Sequence, residues 1–95
     1  MLIVTGSVTA HADTFERLAE ISLEHVRRSR QEPGCISHAV YVDCENPLRL
    51  FFFEQWAGRA ALDTHFAVPA VKEFVREFRT LVAASTGPTI YETGG

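Results

Sequence analysis

Leu50, Phe51, Phe52 and Phe53 stand in a row within a segment, Arg49 to Ala57, that reads as extended chain. A β-strand sends successive side chains to opposite faces. Four large apolar residues in succession therefore put bulk on both sides of any sheet that contains them. Helices laid over one face leave the other bare, and monomers rarely expose large apolar patches. At 95 residues the chain is long enough for one compact core and too short for two. The expectation is a single domain over residues 1–95 whose second sheet face is covered by another copy, giving a homodimer that buries Phe51 and Phe53.

The patterns around that run supply the remaining elements. Leu2 to Thr9 alternate in strand fashion, with Leu2, Val4, Gly6 and Val8 on one face. Asp13 followed by Glu16 resembles a capping box, and Phe15, Leu18, Ala19, Ser22 and Val26 then recur at helical spacing until Glu32-Pro33-Gly34 stops the run. Arg27, Arg28 and Arg30 fall near the negative end of that helix. Cys35 to Asp43 reads as a second strand, joined to Arg49–Ala57 by a polar turn containing Glu45-Asn46-Pro47. A second helical region follows, broken near Pro69, with Leu62, Phe66, Val71, Phe74, Val75, Phe78, Leu81 and Val82 on its apolar side. Gly87-Pro88 is expected to end it, leaving Thr89–Thr93 as a short last strand. The order βαββαβ is the split βαβ, or ferredoxin-like, α+β arrangement, with both helical regions on one face of an antiparallel sheet.

Charge and cysteine placement narrow the partners. The formal charge is −3 and the only basic cluster is Arg27, Arg28 and Arg30, so no basic face presents itself to a phosphate backbone and nucleic acid is not an expected partner. The first residues lack the charged and long apolar regions of a signal peptide, and no apolar run approaches a membrane span, which predicts a cytoplasmic protein without a membrane partner. Cys35 and Cys44 fall at opposite ends of one strand, roughly 30 Å apart at about 3.3 Å per residue, too far to bridge within one subunit. Two thiols of this kind suit a reducing compartment.

Candidate chemistry gathers on the hairpin. If Asp43 pairs with Arg49, His38 lies opposite Glu54, and Ile36, Val40, Val42, Leu50, Phe52 and Trp56 share their face. His65 follows Leu62 by three and precedes Phe66, so it belongs to the apolar side of the second helical region and points at the sheet. His38, Glu54, Trp56 and His65 then converge on one pocket, walled by Val40, Phe52, Leu62 and Phe66. Each has a plainer reading as a core histidine, a cross-strand pair or a space-filling indole. His11 and His25 are placed in a loop and on the polar side of the first helix, without a role.

Other chemistries find little support. The histidines show neither metalloprotease spacing nor a Cys-x-x-Cys partner, so no metal site is expected. Isolated glycines cannot cradle a phosphate, which argues against nicotinamide or flavin cofactors. No Ser or Cys sits in a nucleophile elbow. An apolar cavity with acid and base groups is what remains, and imidazole, with an unperturbed pKa of about 6.5, suits the base.

The run Glu32-Pro33-Gly34-Cys35, the turn Asp43 to Pro47, the strand end Phe53-Glu54-Gln55-Trp56, and Ala61-Leu62-Asp63-Thr64-His65-Phe66 with Pro69 and Lys72-Glu73-Phe74 resemble the antibiotic biosynthesis monooxygenase family. They are especially similar to its small quinol-oxidising members. The resemblance covers nearly the whole chain, and Glu-x-Trp followed by a helix bearing Leu-x-x-His is its most specific part. It implies a dimeric α+β barrel and cofactor-independent oxidation of quinols or phenolic polycycles by dioxygen. The family's Trp falls on Trp56, its helix His on His65 and its strand carboxylate on Glu54. His65 is then the expected base, with His38 and Glu54 as the alternative pair, and Trp56 packs on the substrate ring and offers its N–H to an oxyanion. Relatives often carry Tyr where this chain has His38, and haem-degrading relatives use an Asn that the first strand lacks. The resemblance also admits a non-redox isomerase or a small-ligand-binding protein on the same fold.

Overall fold

A computed structural model describes residues 1–94. The elements run β1 (Leu2–Ala10), α1 (Phe15–Ser29), β2 (Cys35–Asp43), β3 (Asn46–Trp56), α2 (Arg59–Ala67), α3 (Pro69–Leu81) and β4 (Val82–Glu92). The strands form one antiparallel sheet in the order β2-β3-β1-β4, which is the ferredoxin-like α+β fold. Among the described residues no helix is long and apolar enough to cross a membrane.

The hairpin has the expected register through its centre, with His38 opposite Glu54, Val40 opposite Phe52 and Val42 opposite Leu50. Its two ends differ. Asp43 pairs with Asn46 rather than Arg49, although the Asp43 and Arg49 side chains still meet at 3.3 Å, so β3 starts three residues earlier than predicted and stops at Trp56. Near the start of β2 the ladder slips, Cys35 pairing with Trp56 and Ser37 with Gln55. Ile36 is the extra residue of that bulge. It is exposed, as is Val42, so neither belongs to the apolar wall; Cys35 packs inward in Ile36's place.

All three helices cover the sheet face that carries Val4, Val8, His38, Leu50, Phe52 and Trp56. Two apolar clusters form beneath them, one around Val8, Leu18, Val26, Leu50 and Phe52, the other around Leu2, Val4, Trp56 and Leu62. α1 begins after Thr14, and no side chain caps it. The expected Asp13–Glu16 capping box is absent: the N-cap falls one residue later, on Thr14, whose Oγ1 donates to the Leu81 carbonyl at 2.7 Å and accepts from the His11 N–H at 3.1 Å. Val68 is extended between α2 and α3 and Pro69 starts the second helix, a position that needs no N–H.

The largest departure from expectation is β4. Val82 to Thr86 follow α3 without a break and carry helix-compatible alanines, yet they pair with β1 from Ser7 to Ala10. Gly87-Pro88 therefore ends no helix; it is a bulge inside an eleven-residue strand. Gly87 has φ +88°, and a Cβ there would lie 2.9 Å from the Thr5 carbonyl oxygen, so only glycine fits the bulge. On the far side of the sheet Tyr41, Phe51 and Tyr91 are exposed and Phe53 is half-buried.

Candidate functional site

Each helix turn contributes through simple spacing. Along α1 the buried residues are Leu18, Ile21, Ser22, His25, Val26 and Ser29, a stripe of i, i+3, i+4, i+7 character. His25 lies inside it, not on the polar side. Its ring stacks on Phe74 of α3 at 4.0 Å between centroids and 7° between planes, and Arg28 Nη2 stands 3.2 Å from its Nδ1. Burial, followed by the neighbouring His38, His65 and Arg28, pushes the imidazole down to about 3, so His25 is neutral at neutral pH.

His38 on β2 is 1% exposed. Its Nε2 is 3.2 Å from Glu54 Oε1, but the angles make no hydrogen bond, and both ring nitrogens are buried without a hydrogen-bond partner. Glu54 on β3 accepts a hydrogen bond from Trp56 Nε1 at 2.9 Å. Burial pushes the Glu54 carboxyl up. The His38 ring, the Trp56 N–H and His65 together outweigh that and hold it below the usual carboxylate range, so it is ionised at neutral pH.

His65, buried on α2, is fixed from an unexpected direction. Its Nδ1 lies 2.9 Å from Glu32 Oε1, and Glu32 Oε2 accepts from Arg28 Nη1 at 2.9 Å. Glu32 belongs to the loop after α1. Gly34 brings that loop against α2: its φ is +85°, and a Cβ on it would sit 2.5 Å from Ala61 Cβ. With a carboxylate accepting from Nδ1–H, the ring's lone pair falls on Nε2.

The three imidazoles form a compact group. Their centroids are 5.2 Å apart for His25 and His38, 5.4 Å for His25 and His65, and 5.9 Å for His38 and His65. Trp56 lies 4.6 Å from His65. Above them, between the sheet and α3, is a cavity of about 180 Å³ whose polar lining includes His25, Glu54 and His65 and whose apolar walls include Phe52, Phe66 and Phe74. An apolar cavity of about 150 Å³ holds benzene, so this one has room for a single aromatic ring. A larger groove of about 790 Å³ runs between α1 and α3. It is open and edged by Glu24, Glu73, Arg76 and Glu77, and it meets the histidine group only at His25.

Of the residues expected at the site, Glu54, His65, Phe52 and Phe66 line the cavity. His38 and Trp56 lie behind that lining. Trp56 is fully buried, and its N–H donates to Glu54 at 2.9 Å rather than facing the cavity. Leu62 and Val40 pack in the two apolar clusters rather than on the cavity. Two residues were missed. His25 falls seven after Leu18, a spacing that could have found it, whereas Glu32 showed itself only as part of a helix stop.

The family model described as antibiotic biosynthesis monooxygenase matches residues 1–86. An uncharacterized protein of Synechocystis is 37% identical over 91 residues, which is 96% of this chain and 62% of that protein; the chain thus spans less than two thirds of its relative. A candidate antibiotic biosynthesis monooxygenase from Deinococcus radiodurans superposes with a TM-score of 0.94 at 29% identity, covering 100% of this chain and 94% of the other. A further antibiotic biosynthesis monooxygenase structure superposes with a TM-score of 0.89 at 26% identity, covering 100% of both chains.

Proposed function

The chain belongs to the antibiotic biosynthesis monooxygenase family, and on that premise we propose that it oxidises a quinol or related phenol with dioxygen, drawing on no flavin or metal ion for the chemistry. The observation that carries the reading is the Glu32–His65 pair at the edge of an apolar cavity. A base needs its lone pair aimed at the proton and its other nitrogen held. Glu32 holds Nδ1, which leaves Nε2 of His65 as the acceptor.

The substrate supplies the electrons in this scheme. Removing a ring proton or hydroxyl proton to His65 leaves an electron-rich anion that passes an electron to dioxygen, and the two radicals recombine. Recombination forms a C–O bond and a ring peroxide, which takes back the proton held on His65. Loss of the remaining hydrogen at that carbon as a proton breaks the O–O bond, so that one oxygen stays as a ring carbonyl and the other leaves as water. The protein's tasks are to take the proton, hold the ring against Phe52, Phe66 and Phe74, and exclude water. Glu54 stays ionised behind the ring and stabilises the imidazolium that forms. The reading includes a homodimer built on the open sheet face and a cytoplasmic setting that keeps Cys35 and Cys44 reduced.

Chelator-treated protein should speed oxygen uptake with a naphthoquinol or a single-ring quinol above autoxidation. His65→Ala should lower that gain by about 100-fold or more. No acceleration across quinols, anthrones and simple phenols would reject the oxygenase reading. Full activity in His65→Ala would reject only the base assignment.

A further inference from the structure

We propose that His25, His38 and His65 form a binding site for one first-row divalent metal ion of the zinc and cobalt type. The residues come from three elements, α1, β2 and α2, which is why no ligand spacing is visible along the chain. One ring nitrogen from each lies within 4.8 Å of the other two.

The ring geometry suits a shared ion. With a metal–nitrogen bond of about 2.05 Å, an ion lies about 3.2 Å from each imidazole centroid, and a tetrahedral arrangement spaces those centroids about 5.2 Å apart. The separations here are 5.2, 5.4 and 5.9 Å. Bound nitrogens would be about 3.3 Å from one another, so the rings must close on the ion by turning and shifting on the order of 1 Å. Three imidazoles select zinc, cobalt, nickel or copper over magnesium and calcium, whose preferred ligands are oxygen.

Three further observations support an ion here. Nδ1 of His38 is buried without a hydrogen-bond partner and its Nε2 has only the Glu54 carboxylate at 3.2 Å, a costly arrangement that an ion on the ring relieves. His65 already has the arrangement of a metal-bound histidine, one nitrogen on a carboxylate and the other free. The carboxylates of Glu32 and Glu54 face the group and offset the ion's charge, with Arg28 beside His25 and Arg30 on the backbone carbonyl of His38. A metal-bound His25 gives up its contact with Arg28, which Glu32 continues to hold.

The site goes beyond the proposed oxidation and does not rest on it. An ion on His65 occupies the lone pair that the base needs, so metal-loaded and metal-free protein are alternative states of one centre, and loading silences metal-free turnover. The cavity beside His25 and His65 leaves an open coordination position facing the space for one ring.

The test titrates chelator-stripped protein with Co²⁺ and reads its visible absorption, then displaces it with Zn²⁺. One ion per chain with the spectrum of a nitrogen-rich, four- or five-coordinate site is expected, unaffected by excess Mg²⁺. His25→Gln and His38→Gln should each weaken binding at least 10-fold, and His11→Gln should not change it. In wild-type protein the ring signals of His25, His38 and His65 should move together in NMR spectra on adding Zn²⁺ while those of His11 stay, a readout that holds even if a variant fails to fold. Absence of saturable uptake overturns the site, as does uptake that leaves those three ring signals in place or survives both buried substitutions unchanged. If metal-free protein shows no turnover, the oxidation reading alone falls and the binding result stands.

Discussion

Glu32 joins Arg28 of α1 to His65 of α2 by two contacts of 2.9 Å, so one side chain sets both the tautomer and the aim of the proposed base. Glu32→Gln keeps an oxygen acceptor and loses the charge. We expect kcat to fall by about 10-fold with KM little changed, less than in His65→Ala, and steady-state oxygen uptake measures both. The cysteines offer a second check at this scale. Burial, then the charges of Glu32 and Glu54, push the Cys35 thiol up, while Cys44 is exposed. Iodoacetamide near neutral pH should therefore label Cys44 first, with Cys35 reacting only as the pH rises above the usual thiol range; equal rates by mass spectrometry would contradict the inward packing of Cys35. His65 and Glu54 were legible in the sequence because each sits on an otherwise apolar face, where a titratable group stands out. His25 was not, because Glu24 and Arg27-Arg28 around it make that stretch of helix look polar.

Elements were legible where local and tertiary preferences agree. Pro69 breaks the second helical region as its missing N–H requires, and the register that an Asp43–Arg49 pairing implies holds through the centre of the hairpin, although Asp43 itself pairs with Asn46. β4 failed that test. Val82-Ala83-Ala84 can continue a helix, and nothing local says otherwise; pairing with the outer half of β1 decides the matter. The loop after α1 depends on one backbone conformation in the same tertiary way. Gly34→Ala would force a Cβ both into φ +85° and against Ala61, costing about 1–3 kcal/mol. Urea melts should show that loss. Because the same loop carries Glu32, activity should fall at temperatures where the variant is still folded.

For the molecule as a whole, the run Leu50–Phe53 foretold a sheet with two apolar faces, and Tyr41, Phe51 and Tyr91 remain exposed on the face without helices. Covering Phe51 and Phe53 contributes about 1.5–3 kcal/mol each. Phe53→Asp should therefore give a monomer or an aggregate where wild type gives a dimer, and light scattering at micromolar concentration decides it; a monomeric wild type would remove the basis for the barrel. The sheet's margins bear on how copies meet. β2 and β4 are its outer strands, and an outer strand offers unpaired backbone groups on which a neighbour's strand can grow. β4 offers a broken row: Pro88 has no N–H to give, and the Gly87 bulge offsets the residues on either side of it. Fibre-like growth along that margin would stall halfway down the strand.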